Sequence, residues 1–223
     1  MCDRFALHTP RSLIARRYFG IQTPIGDVAP TYNNAPETQI TMIRAASPRS
    51  AERPIEFEYS WWGFRPQWVA DNTAPRPINS RAERVATSRY FRTAFVKRRG
   101  LVPASGWYEW RVENGRKQPY YIRRRDGEVL MFAAVYEPTG IEPDTCCAII
   151  TRPAQPAVAY IHDRMPAALD PSCWDDWLDP ELTKREEIRQ VTKPISRDLL
   201  EAYPVSTAVN NTQNGGPRLI ERI

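Results

Sequence analysis

Two glycine-containing turns constrain the middle of this chain to antiparallel sheet. Asn114-Gly115, within ENGRKQ, separates WYEWRV from PYYIRR. Asn-Gly between alternating apolar runs is the strongest short-range hairpin signal. Asp126-Gly127 then joins PYYIRR to a third strand-like run, VLMFAAVYE, and CCAIIT follows as a buried strand. Upstream, residues 39–44 (QITMIR) and 55–59 (IEFEY) also read as strands, the second by strict alternation of Ile55, Phe57 and Tyr59.

Helical signals lie around these strands. Thr9-Pro10 before RSLIARRYFG supplies a capping hydroxyl, a first-turn proline and Gly20 as terminator. Residues 82–99 (AERVATSRYFRTAFVKRR) read as one helix with Val85, Tyr90, Phe91 and Phe95 as core contacts, and 171–178 and 180–190 read as two more. Residues 21–38, proline-rich and polar, read as a long ordered loop, and YPVSTAVNN as a last strand and loop. Twenty-one prolines are spread throughout, which implies many fixed turns. The expectation is one α+β domain over residues 1–223, with a mostly antiparallel β core and peripheral helices.

Composition narrows the function classes. No apolar run approaches the roughly 18–20 residues of a membrane span, and MCDRFALHTPR lacks the pattern of a signal peptide, so a cytoplasmic location is expected. The four cysteines (Cys2, Cys146, Cys147, Cys173) and two histidines form no zinc spacing, so neither a metal, a cofactor nor a structural disulfide is expected. Cys146 and Cys147 read as buried strand residues and Cys173 as helix packing. The net charge of +5 is compatible with a polyanionic partner. Basic residues cluster at Arg81/Arg84/Arg89, Lys97–Arg99 and Arg123–Arg125, the last reading as a solvated face.

Several features could carry chemistry. Loss of Met1 would expose Cys2 as an N-terminus with an α-amine (reference pKa about 7.7–8.0) and a thiol (about 8.5) on adjacent carbons. Such a pair condenses with an aldehyde and closes to a five-membered thiazolidine, which no internal cysteine can do. YNNAP (32–36) and INSRAE (78–83) are asparagine-bearing loops. In GWYEW, Glu109 shares a strand face with Trp107 and opposes Tyr108 and Trp110. Burial beside indole would raise its pKa as suits a general acid, although spacing alone favours an exposed strand glutamate. IHDRMP holds His162 between Ile161 and the charged pair Asp163 and Arg164. In WWGFRPQW, one of Trp61 and Trp62 is expected to pack inward and Trp68 to be exposed, as an aromatic platform for unpaired bases requires.

In order along the chain, MC-x-RF, YN-x-AP-x-T, WG-F-x-P-x-W, N-x-R-x-E, ATSR-x-F, G-W-Y-E-W, IH-D-R-x-P and PVS-x-x-V-x-N resemble the SOS-response-associated peptidase (SRAP) family from residue 2 to about residue 211. The resemblance implies a barrel-like β core, and a protein that recognises abasic sites in single-stranded DNA and attaches itself covalently through Cys2 after Met1 removal. It places Asn33, Glu109 and His162 at the catalytic positions and implies a monomer associated with the nucleoid when DNA-bound. Arg4, Asn79, Arg81, Arg89, Thr151 and Arg164 would line the DNA backbone path, with Trp68 and Pro36 near the lesion. Asp3 departs from the family's usual glycine and sets a carboxylate beside the reactive amine; Asn34 and Ser80 replace apolar residues. Two other readings compete. One is a thiol peptidase, in its plainest form self-processing, with Cys2 as nucleophile and His162 or Glu109 as base, lyase-type chemistry being a further extension. The other is a non-catalytic single-strand-binding module.

Overall fold

In the computed structural model, residues 2–22, 26–46, 55–71 and 73–223 are described. The proposed loss of Met1, and residues 23–25 of the expected loop, lie outside them. Twelve strands follow in order: β1 (Phe5–Leu7), β2 (Thr31–Asn34), β3 (Gln39–Ala45), β4 (Ile55–Trp62), β5 (Asn79–Arg81), β6 (Arg99–Ala104), β7 (Gly106–Glu113), β8 (Arg116–Arg124), β9 (Leu130–Pro138), β10 (Thr145–Pro153), β11 (Arg164–Pro166) and β12 (Leu200–Pro204). Five helices lie among them: α1 (Arg11–Phe19), α2 (Ala82–Val85), α3 (Arg92–Lys97), α4 (Trp174–Leu178) and α5 (Arg185–Val191).

The expected hairpin forms. Asn114 and Gly115 both take positive φ, 49° and 76°, the geometry whose twist matches the strands it joins. β7 and β8 then pair antiparallel from Trp107↔Ile122 to Glu113↔Arg116. They belong to a five-stranded sheet in the order β12-β8-β7-β1-β2. The second sheet closes on itself, because β10 pairs both β9 (antiparallel) and β4 (parallel), making a ring of β10-β4-β3-β6-β9. This is the mostly antiparallel α+β core read from the sequence elements, closed into the barrel-like form that the family resemblance implies. Ring closure leaves those strands without free edges.

Asp126-Gly127 does turn the chain, but not into a hairpin. β8 stays in the five-stranded sheet while β9 enters the ring beside β6 and β10. The two sheets meet through a chain of rings: Phe5 on Trp62 (centroids 5.3 Å), Phe5 on Phe132 (6.3 Å) and Trp107 on Phe132 (6.0 Å). The outer face of the five-stranded sheet is covered as well, by Tyr203, Val205, Val209 and Leu219 packing on Ala6, Tyr108 and Tyr121. β7 is thus sandwiched, and Trp107 and Tyr108, on opposite faces, are both fully buried.

Other readings of local structure need correction. The 82–99 segment is two helices, α2 and α3, followed by the start of β6. At the break, Ser88 Oγ accepts from Tyr90 N (3.2 Å) and Ser88 O accepts from Arg92 N (2.8 Å), which swings Phe91 onto Phe64 at 5.0 Å. Side-chain capture of backbone by serine is the usual competitor of a helix interior. Val85, Phe91 and Phe95 are buried as expected, and Tyr90 partly so. β6 carries Pro103, which masked it in the sequence; pairing with β3 stops at Leu101, so the missing N–H meets no neighbour there. The loop over 21–38 contains β2. α1 ends at Gly20 in the left-handed conformation (φ 65°) as expected, but Pro10 takes the N-cap position and Thr9 Oγ1 instead lies 3.2 Å from Ser105 Oγ.

Candidate active site

β1 is the short strand, between β7 and β2, that brings the chain start beside the strand carrying Glu109. Phe5 pairs with Trp107, Ala6 with Gly106, and Tyr108 N donates to Arg4 O at 2.9 Å. The close approach of β8 on the other side of β7 demands Gly106, since a Cβ there would sit 2.4 Å from Tyr121 Cζ and 2.6 Å from Ile122 O. Cys2, just upstream, is fully buried. Its carbonyl accepts from Asn79 Nδ2 at 2.7 Å, and Asn79 is fixed by β5 lying parallel to β10. Burial pushes the Cys2 thiol well above its ordinary range, and the Glu109 and Asp3 carboxylates push the same way.

Glu109 is 2% exposed, contrary to the exposed residue that spacing favoured: the sandwiching of β7 overrides alternation. Burial raises its pKa from 4.5 to about 8, with Asp3 and Asp163 adding to the rise, so it is mainly a neutral acid at pH 7. His162 Nδ1 accepts the Arg164 backbone N–H at 2.9 Å and stands 3.0 Å from Asp163 Oδ1. Burial lowers its pKa below 6.5, Asp163 opposing, so it is mainly neutral at pH 7. Glu109 and His162 line one cleft of about 370 Å³ with Asp3, Arg4, Trp110, Lys117 and Asn210.

Asn33 acts on this cleft through Arg4. Its Oδ1 accepts from Arg4 Nη1 (3.0 Å), while its Nδ2 donates to Asn211 O (3.0 Å) and Asn214 O (2.9 Å). Arg4 Nη1 also donates to Val209 O at 2.8 Å, and its guanidinium lies 5.8 Å from the Trp110 ring centroid. Asn33 and Pro36 line a separate cleft of about 500 Å³ with the 212–216 loop.

The remaining expected DNA-path residues fall into two groups. Arg81 is exposed at the end of β5, in register with Thr151. Thr151 is fully buried and bears on the surface only through Arg164, whose Nη2 donates to Thr151 O at 2.7 Å. Arg164 also grips Glu83 with two bonds, 2.6 and 3.1 Å. Trp68, 55% exposed, carries the Arg89 guanidinium 5.0 Å from its ring centroid and the edge of Tyr90 at 6.0 Å; neither Trp68 nor Arg89 lines the Glu109 cleft. Trp62 is the inward-packing member of the tryptophan pair.

Trp110, Lys117 and Asn210 were not singled out from sequence. Trp110 carried the signal, as Glu109's neighbour in GWYEW. Asn210 reaches the cleft only because the C-terminal segment folds back, its Oδ1 accepting from Trp110 Nε1 at 2.7 Å. Cys146, Cys147 and Cys173 are buried free thiols, as is Cys2. Among the described residues no helix is long and apolar enough to cross a membrane, and no group of three His, Cys, Asp or Glu side chains could hold a metal ion.

Comparison with known proteins gives a consistent picture. The family described as SOS response associated peptidase (SRAP) matches residues 1–212. The abasic site processing protein YoqW of Bacillus subtilis is 33% identical over 228 residues, covering 99% of each chain. YedK of Escherichia coli, likewise named an abasic site processing protein, is 31% identical over 230 residues and the full length of both. A solved structure of a Bacteroides thetaiotaomicron protein superposes with a TM-score of 0.81 over 100% of both chains at 24% identity, which shows the shared fold.

Proposed function

Since this chain belongs to the SOS response associated peptidase (SRAP) family, we propose that it processes abasic sites in single-stranded DNA, forming a thiazolidine crosslink through Cys2 once Met1 is removed. An abasic deoxyribose opens to an aldehyde, a group intact DNA lacks. The observation that best supports the reading is the buried Glu109, raised to about pKa 8 and sharing a cleft with His162 and Asp3 next to Cys2.

The chemistry balances with these groups alone. The Cys2 amine adds to the aldehyde carbon to give a carbinolamine. Neutral Glu109 gives its proton to the hydroxyl, which leaves as water, and the protonated imine remains beside the Glu109 carboxylate. The Cys2 sulfur then bonds to the imine carbon, and its proton returns to the Glu109 carboxylate just formed. A thiol held protonated suits this order, because it waits for the base that the preceding step creates. Ring closure also protects the strand: an imine acidifies the neighbouring carbon and invites β-elimination, whereas the saturated thiazolidine does not. His162, mainly neutral at pH 7, assists opening of the sugar ring. Asn79 holds the Cys2 carbonyl, and Asn33 braces Arg4 beside the reacting atoms. Arg81, Arg89 and Arg164 supply affinity without reading sequence.

A thiol peptidase needs a thiolate, and the burial and carboxylates around Cys2 oppose one. The test is incubation of the processed protein with single-stranded DNA bearing one abasic site. A heat-stable shifted band is expected, absent in folded Cys2→Ala protein. Equal, salt-sensitive affinity for intact and abasic strands with no band would instead establish a binding module.

A further inference from the structure

The strand that carries Glu109 continues outward from the cleft into an aromatic and cationic surface that the mechanism does not use. Trp107, Glu109 and Arg111 share one face of β7, so Arg111 lies roughly 7 Å beyond Glu109. Tyr120 and Gln118 are their cross-strand partners on β8. Over this face lies Tyr160, two residues before His162. The Arg111 guanidinium is 5.5 Å from the Tyr160 centroid, and Tyr120 meets Tyr160 edge-on at 6.1 Å and 90°. Tyr160 is nevertheless 49% exposed. A guanidinium over one ring face and an aromatic edge at its side leave the other face for a ligand.

The charge nearby selects the ligand. The hairpin presents Arg111, Arg116 and Lys117, all exposed, and Lys117 lines the Glu109 cleft itself. The one acid among them, Glu113, is engaged by Arg111 (3.4 Å) and by the Tyr120 hydroxyl (2.7 Å). A polyanion with flat rings fits a surface of this kind. We infer that Tyr160 and Arg111 form a stacking platform for an unpaired nucleobase on one flank of the lesion. This rests on the single-strand reading above. Tyr160 is fixed by the turn that carries His162 and Arg111 by the strand that carries Glu109, so the platform is rigidly tied to the reaction centre. It is a surface distinct from Trp68 and Arg89.

The experiment uses strands carrying a tetrahydrofuran abasic analogue, which has no aldehyde and reports reversible binding only. The analogue is flanked by thymidines on both sides, on the 5′ side alone or on the 3′ side alone, and affinity is read by fluorescence anisotropy. Tyr160→Ala is expected to weaken the two-flank strand and one of the single-flank strands about tenfold, leaving the other single-flank strand unchanged. Tyr160→Trp should retain binding and Arg111→Ala should weaken the same two strands. Thermal melts of each variant confirm folding. Tyr160→Ala affinities within twofold of wild type on all three strands overturn the platform. Adduct formation by the wild type on aldehyde-bearing strands is run in parallel; its absence refutes the crosslinking function instead, so the two failures are distinguishable.

Discussion

Replacing Glu109 by glutamine should change how stability depends on pH. The carboxyl is 2% exposed and its pKa is raised from 4.5 to about 8, mainly by burial. Between those values the folded protein holds a proton that the unfolded chain has released. Stability therefore falls as pH rises through this window, by about 1.4 kcal/mol per pH unit, and levels off above about pH 8. From pH 5 to pH 8 the loss amounts to roughly 4 kcal/mol, a large share of the typical margin of 5–15 kcal/mol. Glutamine keeps the shape without the titration, so the slope should vanish. Urea unfolding of both proteins at pH 5, 6, 7, 8 and 9 measures it directly. The difference between the curves should favour the glutamine variant progressively up to pH 8 and then stay constant. Parallel curves would refute the claim that Glu109 is a buried, neutral acid, and with it the proton donor of the mechanism.

Three further outcomes are expected. Asp3→Asn removes a carboxylate that helps raise Glu109, so the alkaline limb of the pH–rate profile for adduct formation should move to lower pH; an unmoved limb contradicts the coupling. Asn79→Ala deletes the 2.7 Å bond to the Cys2 carbonyl, worth about 1 kcal/mol, and should slow single-turnover adduct formation roughly fivefold with little change in melting temperature. Gly106→Ala forces a Cβ to 2.4 Å from the buried Tyr121 ring and should sharply lower the melting temperature; a near-normal melt would mean that β7 and β8 pack more loosely than described.

The local turn chemistry was legible because Asn114-Gly115 carries its own backbone requirement, β4 because its apolar residues alternate, and β3 and β10 because theirs cluster in short runs. Ring closure was not, since it depends on parallel pairing of β10 with β4 between segments more than eighty residues apart, which no local pattern encodes. The burial of Glu109 was hidden for the same reason: Glu109 shares the Trp107 face of β7, which packs toward the ring at Phe132, while the C-terminal segment covers the opposite, Tyr108 face, so neither face is left wet. At the site, the short motifs pointed to Cys2, Glu109 and His162, and the fold brings Glu109 and His162 into one cleft. The bracing of Arg4 by Asn33 and the arrival of Asn210 emerge only from the fold-back of residues 209–214.

The central claim concerns two atoms of one residue, and a combined mass and thiol measurement tests it most directly. Intact protein mass is taken before and after exposure to abasic single-stranded DNA, followed by thiol titration of the denatured adduct. The account predicts a starting mass without Met1, a gain equal to the strand less one water, and three titratable thiols where the unreacted chain has four. An adduct that retains all four thiols, or one that forms equally well in Cys2→Ala protein, contradicts it.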